Sequence, residues 1–353
     1  MTVYGKYSLG SGSILNSNVW ESFDSPGIVE DYKASISRDL EKSGVPLEKL
    51  VAWEVMDVGT GRQAVAFYYL GAKHVTHYDL SQQNVDRVGQ FIARKSIYDR
   101  MKSQCCDLVT SELPTGKFDF VYLNGVAQHF SDVGQGLSNC IKTLKKGGYL
   151  WVYFYRSGTF LQFVIYMIRD LIAKAKTDTE CFINALLLFS DDAAPNLFVS
   201  NLMDDFFVEH INLFTPMDYV SFLTAHGMTV VSSSKLDPYG KAVEHHHAHP
   251  SVVLVCRKDE TANSNCDLLS PKKSVNQLDP NLYDSQEAVE IIDLYMNVKE
   301  LALAKDTAIV MNIAFRLYLF VSSIDSSLSS KKYSDYMKLK QILENTLKLL
   351  KGS

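Results

Sequence analysis

Five consecutive residues, Asp57-Val58-Gly59-Thr60-Gly61, and a second aspartate, Asp79, carry the clearest chemical pattern in the sequence. The apolar run before them reads as a buried strand, and a helical stretch starts directly after the turn. Gly59 and Gly61 lack a Cβ, so a ligand can come close to the backbone there. The helix that follows aims its N-terminus, the positive end of its dipole, at the turn. Asp79 closes a second apolar run, twenty residues after Gly59. A carboxylate in that place can accept both hydroxyl protons of a ribose. The pattern describes a pocket for a nucleoside-containing cofactor.

More residues of that kind follow. Asp107-Leu108 comes after a possible third strand, where a carboxylate can accept from an adenine amino group. Asn124-Gly125-Val126-Ala127-Gln128-His129 comes after a fourth. His129 is the best candidate for a general base. It lies a few residues past a strand, at the rim where open α/β sheets bind ligands, and its ring titrates near neutrality. A structural hydrogen bond to backbone is the alternative role for it.

Several elements must position these residues. A helix is expected over 28–50, ending near Gly44-Val45-Pro46. Strands are expected at 55–58, 74–78, 103–107, 118–123 and 149–155. Helices are expected between them at 64–70, 82–95 and 133–144, the last stopped by Gly147-Gly148. This cadence argues for a parallel sheet with helices on both faces. Residues 160–213 break it with apolar helical stretches at 160–172 and 181–189. A helix at 216–225 and strands at 228–233 and 251–257 follow. The segment between those two strands is polar and leaves no room for a crossover helix, so the last strand runs antiparallel.

Two cofactor classes share the glycine turn. Gly59-x-Gly61-x-x-Ala64 satisfies the dinucleotide fingerprint as well. Four features favour S-adenosylmethionine (SAM). An acidic Asp57 suits a sulfonium and an ammonium, whereas it would repel a pyrophosphate. Asp107-Leu108, the Asn124 loop and the antiparallel final pair are the other three. Over about residues 50 to 258 the chain resembles the class I SAM-dependent methyltransferases, in the branch typified by small-molecule enzymes. The resemblance implies a seven-stranded, mostly parallel, doubly wound α/β sheet of order 3-2-1-4-5-7-6, strand 7 antiparallel. It implies that Asp57, Gly59, Thr60 and Gly61 surround the methionine moiety and that Asp79, with Leu80 beside it, binds the ribose. Asp107 would meet the adenine with Leu108 packed on it, and Asn124 and Gly125 would lie beside the methionyl end. A histidine often ends the loop that His129 ends. Arg62 departs from the pattern, since a cation there must point away from the sulfonium or bind a carboxylate.

Methyl transfer from a sulfonium is an in-line displacement that relies largely on positioning and desolvation, so no catalytic motif is required. The Asp/Asn/Cys-Pro-Pro-Tyr/Phe motif of enzymes that methylate amino groups of nucleic acid or glutamine is absent, because Asn124 is followed by Gly125-Val126-Ala127. A small molecule bearing an O, N, S or C nucleophile is the expected acceptor. Its pocket is expected to draw on Tyr7 and Trp20 of the lead-in and on Tyr166, Phe207 and His210 of the insertion, unless these aromatics are plain core.

The 353 residues exceed one ordinary domain. A SAM domain is expected over 1–258, with a cap at 1–50 and a helical insertion at 157–215 over the active site. A polar linker at 259–280 and a helical region at 281–353 follow. In that region Asp284 and Glu287 form a possible capping box, and Leu339, Ile342, Leu343, Leu347 and Leu350 form a stripe that serves as core or as a homodimer contact. The net charge of −5 argues against a nucleic-acid partner. The six cysteines contain no CxxC, which suggests neither disulfides nor zinc. His245, His246, His247 and His249 form a cluster read as a solvated loop rather than a metal site. No signal peptide heads the chain, and the most apolar run, 308–321, is too short to span a bilayer. A cytoplasmic protein with no membrane partner is therefore expected. Two other readings remain: an NAD(P)-dependent oxidoreductase, and a non-catalytic SAM-fold scaffold whose helical tail binds a partner.

Overall fold

The computed structural model describes residues 26–155, 157, 160–174, 210–234, 251–259, 285–304, 309–310, 313–314, 316–317 and 332–352. These fall into two compact units. The first holds the described residues up to Tyr155 together with 210–234 and 251–259. Its elements are α1 (Pro26–Lys42), β1 (Glu54–Val58), α2 (Arg62–Tyr69), β2 (His74–Asp79), α3 (Gln82–Lys95), β3 (Met101–Cys105), β4 (Phe118–Asn124), α4 (Val133–Thr143) and β5 (Leu144–Tyr155). The second unit's α5 (Phe160–Lys174) comes next in the chain, and α6 (Pro216–Ala225), β6 (Met228–Ser234) and β7 (Ser251–Lys258) complete the first.

The seven strands lie in the order β3-β2-β1-β4-β5-β7-β6. β1 to β5 pair in parallel, and β7 runs antiparallel to both β5 and β6. The expected order and the reversed final strand are both present. Helices join β1 to β2, β2 to β3 and β4 to β5, which returns the chain for parallel pairing.

Side-chain alternation along the strands splits the core in two. Val55, Phe120, Tyr122, Trp151 and Val255 face α1, α2 and α3. Met56, Val121, Leu123, Val152, Phe154 and Leu254 face α4 and α6. Both faces of the middle strands are thus buried, as a parallel sheet requires. The carboxyl ends of β1, β2 and β4 come out at one edge, which is where the candidate residues stand.

Three boundaries differ from the expectation. The first helix ends at Lys42, because Gly44 takes a left-handed φ of 69° and Pro46 precedes a short 3₁₀ segment, Leu47–Ala52. β3 begins at Met101, two residues early, since its register with β2 is fixed from Val75↔Met101 to Asp79↔Cys105. α4 ends at Thr143 and passes directly into β5, so Gly147-Gly148 sits inside a strand irregularity and does not stop a helix.

The second unit contains α5, α7 (Ser285–Leu303) and α8 (Lys332–Gly352). Residues 157 and 160–174 of the insertion thus group with the tail, while 210–215 belong to the sheet unit. Lys299 Nζ lies 2.7 Å from Asp170 Oδ2, with both side chains largely buried. Tyr295 Oη lies 3.0 Å from the same Asp170 oxygen and 3.1 Å from the Met167 carbonyl. These contacts tie α7 to α5. Leu339, Leu343 and Leu350 of the α8 stripe are buried within the chain, as are Ile291, Tyr295, Val298 and Ala302 on one side of α7. In the apolar run 308–321, Val310, Ile313, Ala314 and Leu317 are buried. Residues 181–189, Asp284 and the cluster from His245 to His249 lie outside the described residues.

Candidate cofactor site at the carboxyl edge of the sheet

The glycine turn is held from below by β2. Gly59, at φ 125°, donates its N–H to the Tyr78 carbonyl at 3.1 Å, and its own carbonyl lies 2.6 Å from His77 Nε2. Gly61, at φ 85°, is the N-cap of α2. A Cβ there would collide with Val88 Cγ2 and stand 3.3 Å from His77 Nε2. Both glycines are therefore required by conformation, and Gly61 also by space. Thr60 between them is half-buried.

Asp57 is buried beneath this turn. Its Oδ2 accepts from the Ala64 N–H at 3.0 Å, so the carboxylate caps the first turn of α2. Its Oδ1 is buried with no hydrogen-bond partner. Burial pushes its pKa up to about 8; the Ala64 N–H opposes this and the Asp79 charge adds to it. The sequence reading put Asp57 directly around the methionine moiety. One of its oxygens is engaged by α2, where it supports the turn from below. Arg62 turns toward α1, donating to the Tyr32 hydroxyl at 3.1 Å, which answers where that cation points.

Asp79 stands at the carboxyl end of β2. Its Oδ1 accepts from Ser81 N–H at 2.6 Å and its Oδ2 from Asn84 Nδ2 at 3.2 Å. Each oxygen keeps a lone pair for a further donor. Burial raises its pKa to about 6, against the two bonds. Leu80 beside it is 58% exposed. Asp107 is turned into its own loop, with Oδ1 accepting from Val109 N–H and Oδ2 from Thr110 Oγ1, both at 2.9 Å. Leu108 is packed into the core at 3% exposure. Its side chain lies on the α4 side of the sheet, and Leu80 is the exposed apolar residue next to Asp79.

Past β4, Asn124 is exposed and Gly125 takes φ 69°. A single 3₁₀ turn, Ala127–His129, follows. His129 Nδ1 lies 2.9 Å from the His210 carbonyl. That carbonyl can only accept, so Nδ1 carries the proton and Nε2 is the acceptor. Gln128 Nε2 is 3.2 Å from that Nε2 and also donates to the Gly125 carbonyl at 2.9 Å. Asn212 pins the same segment, its side chain donating to the Phe130 carbonyl at 2.8 Å. His129 thus joins the β4 loop to the strand of chain at His210. Its ring meets Tyr155 edge-on at 6.1 Å, and Tyr155 meets Tyr153 at 6.2 Å.

Of the acceptor-side residues, His210 is half-buried and contributes its carbonyl, while Tyr166 lies on α5 in the second unit. Tyr7, Trp20 and Phe207 lie outside the described residues. Sequence reasoning missed His77, Gln128, Tyr153 and Tyr155. The signal for His77 was its period-2 position in His74-Val75-Thr76-His77-Tyr78-Asp79, two residues before Asp79. Among the described residues no group of three or more His, Cys, Asp or Glu could hold a metal ion. Also among them, no helix is long and apolar enough to cross a membrane.

Residues 56–152 match the family model described as a methyltransferase domain. Over that stretch the sheet unit is similar to methyltransferase domains. Its match begins in β1 and ends in β5, so it contains the glycine turn, Asp79 and the β4 loop. No curated protein matches the sequence. Solved structures similar to the domain include a putative methyltransferase from Bacillus halodurans C-125, 16% identical, covering 61% of this chain and 99% of that one at TM-score 0.39. A SAM-dependent methyltransferase from Mesorhizobium loti is 17% identical, with coverages of 58% and 91% and TM-score 0.38. A Burkholderia thailandensis 1,6-didemethyltoxoflavin-N1-methyltransferase, solved with its substrate and S-adenosylhomocysteine, is 16% identical, with coverages of 66% and 87% and TM-score 0.37.

The residues fit a cationic nucleoside cofactor. Two carboxylates, Asp57 and Asp79, lie at or under the turn, the glycines leave the backbone open, and Arg62 is drawn off toward Tyr32.

Proposed function

We propose that this methyltransferase domain binds SAM and transfers its methyl group to a small-molecule nucleophile. The observation that carries the reading is Asp79. It sits at the end of β2 beside the glycine turn, each carboxylate oxygen bonded once and able to accept again. The turn at Gly59, Thr60 and Gly61 would hold the amino-acid end, Asp79 the ribose, Leu80 and Asp107 the adenine side, and Asn124 and Gly125 the methionyl end. When bound, SAM supplies an activated methyl group on a sulfonium.

The chain's own residues bind and orient. Asp57 fixes the N-terminus of α2 under the turn, and the Gly125 backbone bends the β4 loop toward the edge. Tyr153 and Tyr155 offer ring surface at the carboxyl end of β5, where an acceptor facing the methyl group would sit. Apolar and aromatic surface of this kind excludes water from a displacement reaction. His129 can remove a proton from the acceptor only when Gln128 releases its Nε2, so its first role is to brace the loop. A homodimer, a cytoplasmic location and the absence of a nucleic-acid partner belong to the same proposal. It draws support from the net charge of −5 and the missing amino-methylation motif.

Calorimetry tests the reading. The wild type should bind SAM and S-adenosylhomocysteine, and Asp79→Ala should bind at least tenfold more weakly, about 1.4 kcal/mol. Unchanged affinity in the variant, or a melting temperature raised by NADH and not by SAM, would sink it.

A further inference from the structure

We infer that His77 is a positioning residue for the cofactor: its imidazole, from inside the sheet, sets the orientation of the Gly59 peptide and thereby the shape of the glycine turn. The inference rests on the SAM reading of the turn. His77 is fully buried in β2, between the sheet and α3. A histidine in such an apolar strand needs partners for both ring nitrogens, because a buried polar atom left unpaired costs about 1–3 kcal/mol. It has both. Nε2 lies 2.6 Å from the Gly59 carbonyl and Nδ1 lies 2.8 Å from Ser103 Oγ on β3.

The partners fix the tautomer. A carbonyl only accepts, so Nε2 carries the hydrogen and donates it to Gly59. Nδ1 then accepts from the Ser103 hydroxyl at 2.8 Å, taking the one hydrogen for which the Val85 carbonyl of α3, 3.2 Å from the same oxygen, competes. Burial holds the ring neutral by pushing its pKa down to about 4. β2 therefore grips the Gly59 residue at both polar groups: its N–H through the Tyr78 carbonyl, its carbonyl through His77. With both ends held, Gly59 stays at φ 125°, in a region that side-chain-bearing residues rarely enter. The same ring stands 3.3 Å from where a Gly61 Cβ would be. One side chain thus contacts the turn at its first glycine and closes the space under its second.

Only packing would be lost if the ring were mere core filler, and any residue of similar volume would serve. A positioning role depends on the Nε2 hydrogen. S-adenosylhomocysteine titrated into the full chain by calorimetry, with a melting curve for each variant, separates the two. His77→Leu keeps most of the volume and strands the Gly59 carbonyl, so affinity should fall at least tenfold. His77→Gln places an amide N–H where Nε2 stands and should bind within threefold of wild type, even if it melts lower. Wild-type affinity in His77→Leu overturns the inference, and so does an equal loss in both variants. If His77→Leu does not fold, Ser103→Ala decides: freeing the Nδ1 edge should weaken binding about threefold, and unchanged affinity counts against the role. A wild type that binds no S-adenosylhomocysteine overturns the cofactor reading itself, which is a different result from any of these.

Discussion

Two carboxyl groups at the cofactor edge hold protons that an extended chain would release. Asp79 is raised to about 6 and Asp57 to about 8, in both cases by burial first. An acid with a raised folded-state pKa stabilises the fold below its unfolded value, and that stability is lost as pH rises through the folded value. The melting temperature of the cofactor-free protein should therefore fall between about pH 4 and 8, and Asp57→Asn should flatten the profile. SAM affinity should move the opposite way. A cation favours the ionised carboxylates, so binding should strengthen from pH 5.5 to 8. Calorimetry at three pH values checks this, and affinity independent of pH would count against either carboxyl group sensing the cofactor's charge. His129 belongs to the same scale. If it is a brace, His129→Ala should cost roughly 1–3 kcal/mol of stability by denaturant unfolding, since it abandons the His210 carbonyl. A rate loss with no change in stability would instead assign it to proton transfer.

At the level of elements, the turn between β1 and α2 is determined by what lies beneath it. Gly61→Ala would put a methyl group against Val88 on α3 at a φ of 85°. The strained backbone alone costs about 1–3 kcal/mol. The variant should melt lower and lose cofactor affinity together, which thermal shift with and without SAM would show. The expected strands at 55–58 and 74–78 and the helices at 82–95 and 216–225 are present with the same or nearly the same bounds. Their apolar periods and caps are local, so the sequence carries them. β3 was misjudged because it is short and polar, with burial that does not alternate cleanly, and its ends are set by pairing with β2. The Gly147-Gly148 misreading has a similar cause: glycine ends a helix or bends a strand, and only the β4 neighbour decides which.

On the scale of the molecule, α5 of the insertion and the described residues of the tail share one compact unit. α5 buries Val164, Ile165, Met167, Ile168 and Leu171, and α7 holds it through Lys299 and Tyr295. Lys299→Ala removes the ammonium partner of a largely buried Asp170 and should destabilise this unit by about 3 kcal/mol. Limited proteolysis should then cut within 160–174 and 285–303 faster, while the sheet unit stays protected. A chain ending after Asp259 should expose the α5 face and bind a hydrophobic dye. A truncated chain that stays monodisperse and dye-free would show that α5 does not need the tail. The α8 stripe buries three leucines in its own chain, which leaves less of it for a homodimer contact.

The sequence by itself determined the sheet, its reversed last strand and the cofactor edge. Glycines, aspartates and apolar periods act over a few residues, and the polar stretch between the last two apolar runs carries no helical pattern in the sequence. Only the tertiary structure decided what each polar side chain answers to. Asp57 belongs to the amides of α2, Leu108 to the core, Arg62 to Tyr32 and His129 to the His210 carbonyl. Those partners are 7 to 81 positions away in sequence where a hydrogen bond joins them. Hydrogen-bond and packing choices made across such separations depend on which surfaces the fold brings together, and no local pattern encodes them. His77 shows the same thing most clearly, since its two partners come from the β1 turn and from β3.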